Sequence, residues 1–395
     1  MTRVGIYFAF VQFLFVTCWT VYVIYLPQLA AQAGIEKKWV IWILMADQAI
    51  FTFMDFAMGV AADRVQRSLA RLGRLLVIMT AVSCIAFLLL PLAAPSGAPL
   101  LFLALIVLWA VTSSALRAPP LALLGKYVPK ARLPWVTTLT LLGMGVAGAV
   151  APYLTLSLRG IDPRLPFALS SFALVVAVSG MLWAERNLAA GNPDPAPASV
   201  ATKPVSAGVV IFFAAVALLG LGFQAHFALN SAPLYLRFAK PEELDHLMPV
   251  FWVGFNLLIF PACRANERFG GPVMMAVGAV AGALASALAA VAPSLEALLV
   301  LQFLAGGAWA GVLMSAMAAA IAIGHVGREG AATGGLFALL AIATFTRMAL
   351  VAAQLNKDPA VSAVLVWIPG LAWLVAGLLL AWLIVGFRPP VRAPT

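Results

Sequence analysis

The sequence predicts an all-α integral membrane protein of twelve transmembrane helices in two pseudo-symmetric six-helix bundles. Three observations carry that expectation. The 395 residues are 64% hydrophobic and only 10% charged, and the mean hydropathy is +1.04, well outside the composition of soluble domains. Apolar windows recur along the whole chain, each reaching the ~20 residues that a helix needs to cross a hydrocarbon core of about 30 Å. One stretch rich in proline and alanine, 185–206, divides these windows six and six. A transmembrane β-barrel is excluded, because its segments alternate in polarity and run only about 10 residues.

The first window follows Arg3 and is expected over 5–28, ending near Pro27. It exceeds the 7–15 residues of a signal-peptide core, so it reads as a retained helix despite the small residues at 31–33. The next five are expected over 39–62, 74–92, 100–125, 135–157 and 165–184. The second half gives 207–230, 247–262, 271–291, 296–324, 331–355 and 362–386. The expected organisation is a first bundle over 1–184, a linker over 185–206 and a second bundle over 207–395. Pro119 and Pro120 are expected to kink the fourth helix and Pro261 the eighth, while Gly143, Gly145 and Gly148 mark the fifth as closely packed.

Basic residues set the orientation. Counted on alternate sides of the twelve windows, fifteen of the 24 lysines and arginines fall on the side of the termini and linker. Seven fall on the other side, and Arg117 and Arg347 lie inside helices. The positive-inside rule then places both termini in the cytoplasm, and the expected location is the bacterial inner (cytoplasmic) membrane. The same scatter of bases between apolar windows argues against a nucleic-acid partner, despite the net charge of +10. Cys18, Cys84 and Cys263 lie in or beside apolar windows without metal-ligand spacing, so neither a disulfide framework nor a cofactor is expected.

The densest charge cluster runs from Gly59 through Asp63, Arg64 and Arg67 to Arg71 and Arg74. Such a cluster belongs in an aqueous loop, with Gly59 permitting close helix approach. Asp63, an acid among bases, suits the positive end of a neighbouring helix. The stretch resembles the G-x-x-x-D-R-x-G-R-R loop between the second and third helices of the major facilitator superfamily. Gly59, Asp63, Arg64 and Arg67 match it, while Gln66 and Ser68 depart from it. Glu267-Arg268 recurs at the corresponding place in the second half, with Cys263 standing where Gly59 does, which points to a duplicated six-helix unit. The resemblance implies a transporter whose bundles rock about a central site. It further implies that the first, fourth, seventh and tenth helices line the pathway and that Asp63 latches the start of the eleventh helix near Gly330.

Ionisable residues within apolar helices are the informative ones. Asp55 and Arg117 each lie about 16 residues from the outer ends of their helices, and Asp47 and Arg347 each about 8. Buried charges need partners, so two ion pairs are expected, Asp55–Arg117 and Asp47–Arg347. They fit a structural role in fixing register and a functional role in proton coupling and gating equally. His226 and Asn230, four apart, share one helical face, and Gln12, Trp109, Gln302 and Trp309 lie on the other pathway helices. Met54 with Met58, and Met314 with Met317, raise copper(I) as an alternative cargo, although methionine more often fills gaps. No phosphate-binding loop, nucleophile elbow or zinc-protease motif occurs, so no enzyme is expected. The expectation is a monomeric secondary transporter for an organic anion or amphipathic compound, coupled to protons, with an uncoupled facilitator as the alternative and a non-transporting receptor a weaker one.

Overall fold

The computed structural model describes residues 1–67, 72–191, 206–324 and 328–386. Arg71 of the basic cluster, most of the linker and the last nine residues lie outside them, and the side chain of Arg67 is likewise not described. Twelve helices among the described residues are long and apolar enough to cross a membrane. In the first half they are α1 (Thr2–Gln32), α2 (Lys37–Val65), α3 (Leu72–Ser96), α4 (Pro99–Tyr127), α5 (Lys130–Ser157) and α6 (Arg164–Ala190). In the second they are α7 (Ala207–Tyr235), α8 (Pro241–Phe269), α9 (Gly271–Ala290), α10 (Leu295–Ile323), α11 (Glu329–Ala352) and α12 (Pro359–Gly386). An even number of crossings puts both ends of the chain on one side, called here the terminus side.

The helices overrun their expected limits where apolar character was a poor guide to hydrogen bonding. The first continues past Pro27 to Gln32, since one proline removes a single bond that the remaining turns tolerate. The sixth reaches beyond residue 184 because Glu185 is not a solvent-side terminus. Its carboxylate oxygens accept from the backbone N–H groups of Leu72 (3.2 Å) and Gly73 (3.0 Å), capping the first turn of α3.

The bundles meet along two seams, α2 against α11 and α5 against α8. At the first seam, Gly59 and Gly330 face each other backbone to backbone. A Cβ on either would strike the carbonyl oxygen of the other. Four residues further along each helix, a Cβ on Gly334 would meet the backbone of Asp55 and Phe56. This antiparallel register fixes which charged side chains can meet.

Candidate functional site at the bundle seam

The break in α4 creates the first half of the site. Proline lacks an N–H, so Pro120 cannot donate to the carbonyl of Leu116, and the helix passes through a 3₁₀ turn over Ser114–Leu116 before resuming at Ala118. Gln12 fills the gap, its Nε2 donating to Leu116 O at 3.1 Å. Arg117 stands at this break. Its guanidinium lies 3.2 Å from an Asp55 oxygen, the ion pair expected from depth alone. Neither oxygen of Asp55 has a hydrogen bond of good geometry, so the pair is held by charge and packing. The arginine also lies over two rings, Phe51 of α2 at 4.7 Å and Phe337 of α11 at 5.6 Å. Phe337 belongs to the other bundle, so the charge on Arg117 is gripped from both sides of the seam.

The second expected pair is not formed. Asp47 is fully buried, but its Oδ2 accepts from Tyr22 Oη of α1 at 2.8 Å, and Oδ1 has no partner. Extending the Gly59–Gly330 register along α2 and α11 sets Asp47 level with Ile342. Arg347 is thereby about five residues, or ~7 Å, too far along the axis to meet it. Counting from the expected limits, 39 and 355, missed this because α2 starts two residues earlier, at Lys37, and α11 stops three residues earlier, at Ala352, and the two offsets add to five. Among the described residues Arg347 pairs with no carboxylate, and its buried Nε lacks a hydrogen bond.

In the second bundle α7 widens into a π-helical turn over Gln224–Asn230, a feature that redirects side chains at functional positions. His226 is buried there, with Nε2 2.9 Å from Gln302 Oε1 of α10. Gln302 Nε2 donates to Ser231 Oγ at 3.1 Å, and that hydroxyl can donate to the carbonyl of His226. Asn230 Nδ2 donates to Leu365 O at 2.9 Å, the carbonyl left without its helical donor by Pro369. Gln224 Nε2 donates to Thr344 Oγ1 of α11 at 2.8 Å. Trp309 stacks on Phe223 with centroids 4.4 Å apart, and Trp109 lies parallel to Trp19 at 5.8 Å. His226, Asn230, Gln302, Trp109 and Trp309 are thus all buried with protein partners within their bundles, while Gln12 is half-buried.

The loop residues divide. Asp63 is buried at the start of α11, its oxygens accepting from Gly330 N (2.7 Å) and Ala331 N (2.8 Å). Arg64 is exposed. Glu267 and Arg268 are exposed on α8, and Arg268 lies 5.1 Å from the Phe269 ring centroid. Met54 and Met58 lie on α2, whereas Met314 and Met317 are buried in the second bundle. Tyr22, Phe337, Ser231 and Thr344 were not singled out from the sequence. Tyr22 carries a polar tip one turn from Trp19, the only local hint of its role.

No protein-family profile matches the chain, and no curated protein matches it by sequence. Solved structures do match in shape. A bacterial homologue of the iron transporter ferroportin, in an outward-facing state, superposes with a TM-score of 0.76 at 13% identity, covering 97% of this chain and 100% of that one. The fold is that of the major facilitator superfamily. The human organic anion transporter MFSD10 gives 0.71 at 13% identity over 96% of this chain and 99% of its own. The fucose:proton symporter of E. coli gives 0.65 at 14% identity, with 97% and 98% covered. Within this major facilitator fold, the Asp63 latch and the Asp55–Arg117 pair lie on the same seam, both on α2.

Proposed function

We propose that the protein is a secondary active transporter that moves a small organic solute across the inner or plasma membrane by alternating access, coupled to protons. Its fold is shared with a bacterial homologue of an iron transporter, with an organic anion transporter and with a fucose:proton symporter. The positive-inside count supports cytoplasmic termini, so the terminus-side seal at Asp63 corresponds to a state closed to the cytoplasm. Both bundles lie on a single chain, which supports the monomer as the working unit. The proposal involves no covalent chemistry.

The observation that carries the coupling is the grip on Arg117. Rocking the bundles apart on the cytoplasmic side would withdraw Phe337 from Arg117 and the α11 backbone at Gly334 from Asp55. The pair would then be wetted, and a proton could replace the guanidinium on Asp55. Closing the seam without Arg117 in place would bury an uncompensated charge, which costs several kcal/mol, so protonation and closure are linked. His226 and Asp47 each already hold a protein partner and are the lesser candidates. Arg347 is half-buried, and its buried Nε lacks a hydrogen bond among the described residues, which favours a solute bearing an anionic group.

Transport in proteoliposomes under an imposed pH gradient tests this reading, with pooled organic anions as solutes. Wild type should concentrate a solute uphill. Asp55→Asn should lose accumulation at least about tenfold while retaining downhill exchange, whereas His226→Ala should keep its coupling. If wild type only equilibrates its solute and Asp55→Asn behaves the same, the protein is an uncoupled facilitator.

A further inference from the structure

A second acid-lined site lies away from the Asp55–Arg117 seam. Between α2 and α4, near the end opposite the termini, the surface opens into a groove of about 440 Å³. Gly34, Ile35 and Glu36 of the connecting loop roof it, and Trp39, Trp42, Ile43, Ala46, Asp47 and Ile50 of α2 form one wall. Leu103, Ile106 and Val107 of α4 form the other. The rims are apolar and outward-facing. Trp39, Trp42 and Val107 are about half exposed, and the same helix faces continue into Phe53 (75% exposed) and Leu100 (81%). Such faces on membrane helices meet lipid.

An apolar wall facing lipid has no ordinary need of a carboxylate. Asp47 nevertheless forms part of it, fully buried, with one oxygen held by Tyr22 Oη from the α1 side and the other without any partner. A buried acceptor left open is destabilising, more so if charged, and Arg347, the cation expected to meet it, is out of register. Among the described residues the only other ionisable group on the groove is Glu36, also an acid, which holds Lys38 at 2.8 Å. Lys38 also lies 5.9 Å from the Trp39 ring centroid, which leaves Asp47 and Trp42 as the acid and the indole without a cation. Carboxylate and indole are the two groups that recognise an organic cation.

We propose that this groove binds a small amphipathic organic cation, a protonated amine on an apolar body, with the ammonium donating to Asp47 Oδ1 and the body lying between Trp42, Leu103 and Val107. The volume falls within the range of small-ligand sites. Depth favours a free amphiphile over a lipid headgroup. Asp47 lies ten residues along α2 from Lys37, about 15 Å below the helix end, whereas an ammonium on a phospholipid stays at the interface. The head group must enter past Ile43 and Ile50, which flank Asp47 by one turn on either side. The inference does not depend on the protein being a transporter, and its test measures binding alone.

The test is calorimetric titration of the full chain in phosphatidylcholine nanodiscs, with empty discs as reference. The probes are 3-phenylpropylammonium and its uncharged isostere 3-phenylpropan-1-ol. The ammonium should bind at least about tenfold more tightly than the alcohol to wild type. Asp47→Asn should bring the two within about twofold, and Ala46→Trp, which fills the groove from its exposed wall, should abolish binding of both. Equal affinities in wild type would overturn the proposal without any variant being needed. So would a preference for the ammonium that survives Asp47→Asn or Ala46→Trp in discs where the variant keeps the wild-type melting temperature. Loss of the preference in discs containing phosphatidylethanolamine would make the lipid ammonium the occupant and overturn the assignment to a free amphiphile.

Discussion

The two halves carry the same acidic-basic signal on the terminus side and use it differently. In the first half Asp63 reaches across the seam and closes on the start of α11, satisfying two backbone donors at 2.7 and 2.8 Å. In the second half Glu267 sits at the corresponding place facing α5, yet it is exposed and borders a cavity of about 830 Å³. Lys130, Arg132, Leu133 and Pro134 at the start of α5 line the same cavity, along with Asn266 and the first turn of α9. The reason is visible in the first turns of the two target helices. α11 begins Glu329-Gly330-Ala331, with consecutive N–H groups at the second and third positions and no side chain at Gly330 to hold α2 away. The regular α-helical part of α5 begins Leu133-Pro134-Trp135, so the second position has no N–H to offer. A duplicated motif does not make a duplicated seal unless its acceptor helix can donate.

The largest expected effect comes from forcing the first seal apart. Gly330→Leu places a side chain where the Gly59 backbone already lies, and neither backbone can yield without separating α2 from α11. Thr333, fully buried on α11, can carry a reporter as Thr333→Cys in a chain otherwise free of cysteine. Its labelling by a membrane-impermeant maleimide from the terminus side should rise at least about tenfold in the Gly330→Leu background, equivalent to ~1.4 kcal/mol or more against the closed state. Labelling that stays at the wild-type rate would mean that this seam is not the barrier.

A smaller effect separates the two acids directly. Asp63→Asn removes the charge at the N-terminus of α11 and one of two strong acceptors, which should cost about 1–2 kcal/mol of the closed state. The same Thr333→Cys reporter should then label several-fold faster. Glu267→Gln changes an exposed side chain and should alter neither labelling nor melting temperature beyond about 0.5 kcal/mol. Equal effects from the two substitutions would break the asymmetry on which the comparison rests.

Much of this arrangement was legible in the sequence. Composition and window length pointed to the twelve helices, and the resemblance of the Gly59–Arg67 stretch to the major facilitator loop implied the contact of Asp63 near Gly330. The Asp55–Arg117 pair followed from depth because α2 and α4 start within two residues of their expected limits, which keeps the two side chains level. The Asp47–Arg347 expectation failed because the limits of α2 and α11 were misplaced by two and three residues, an axial offset large enough to separate two side chains and one that no periodicity reports. Gln12 and Asn230, expected on pathway helices, each donate to a carbonyl four residues before a proline, Leu116 before Pro120 and Leu365 before Pro369. The prolines were in view. Which distant amide would serve them was not, because that depends on helix packing between positions 104 and 135 residues apart.

The finest test asks whether Pro134 is what keeps the second seal open. The close contacts of Gly145 with Asn256 and of Gly148 with Trp252 set the register of α5 against α8, and extending it puts Glu267 level with Pro134. Pro134→Ala restores the missing N–H on the side facing the carboxylate. Alone it should change stability little, since proline is well tolerated in a first turn and its loss frees the unfolded chain. Its signature should be coupling. Glu267→Gln, nearly silent in wild type, should cost about 0.5–1 kcal/mol in the Pro134→Ala background, as the carboxylate gains a helix N-terminus to hold. A cysteine introduced at Ala322, on the cavity wall, should label about two- to threefold more slowly in the Pro134→Ala background than in wild type, and Glu267→Gln should restore the wild-type rate. A double-mutant cycle that closes with no coupling would move the cause of the asymmetry from the missing donor to the longer reach of Glu267 and to Cys263, which stands where the first half has Gly59.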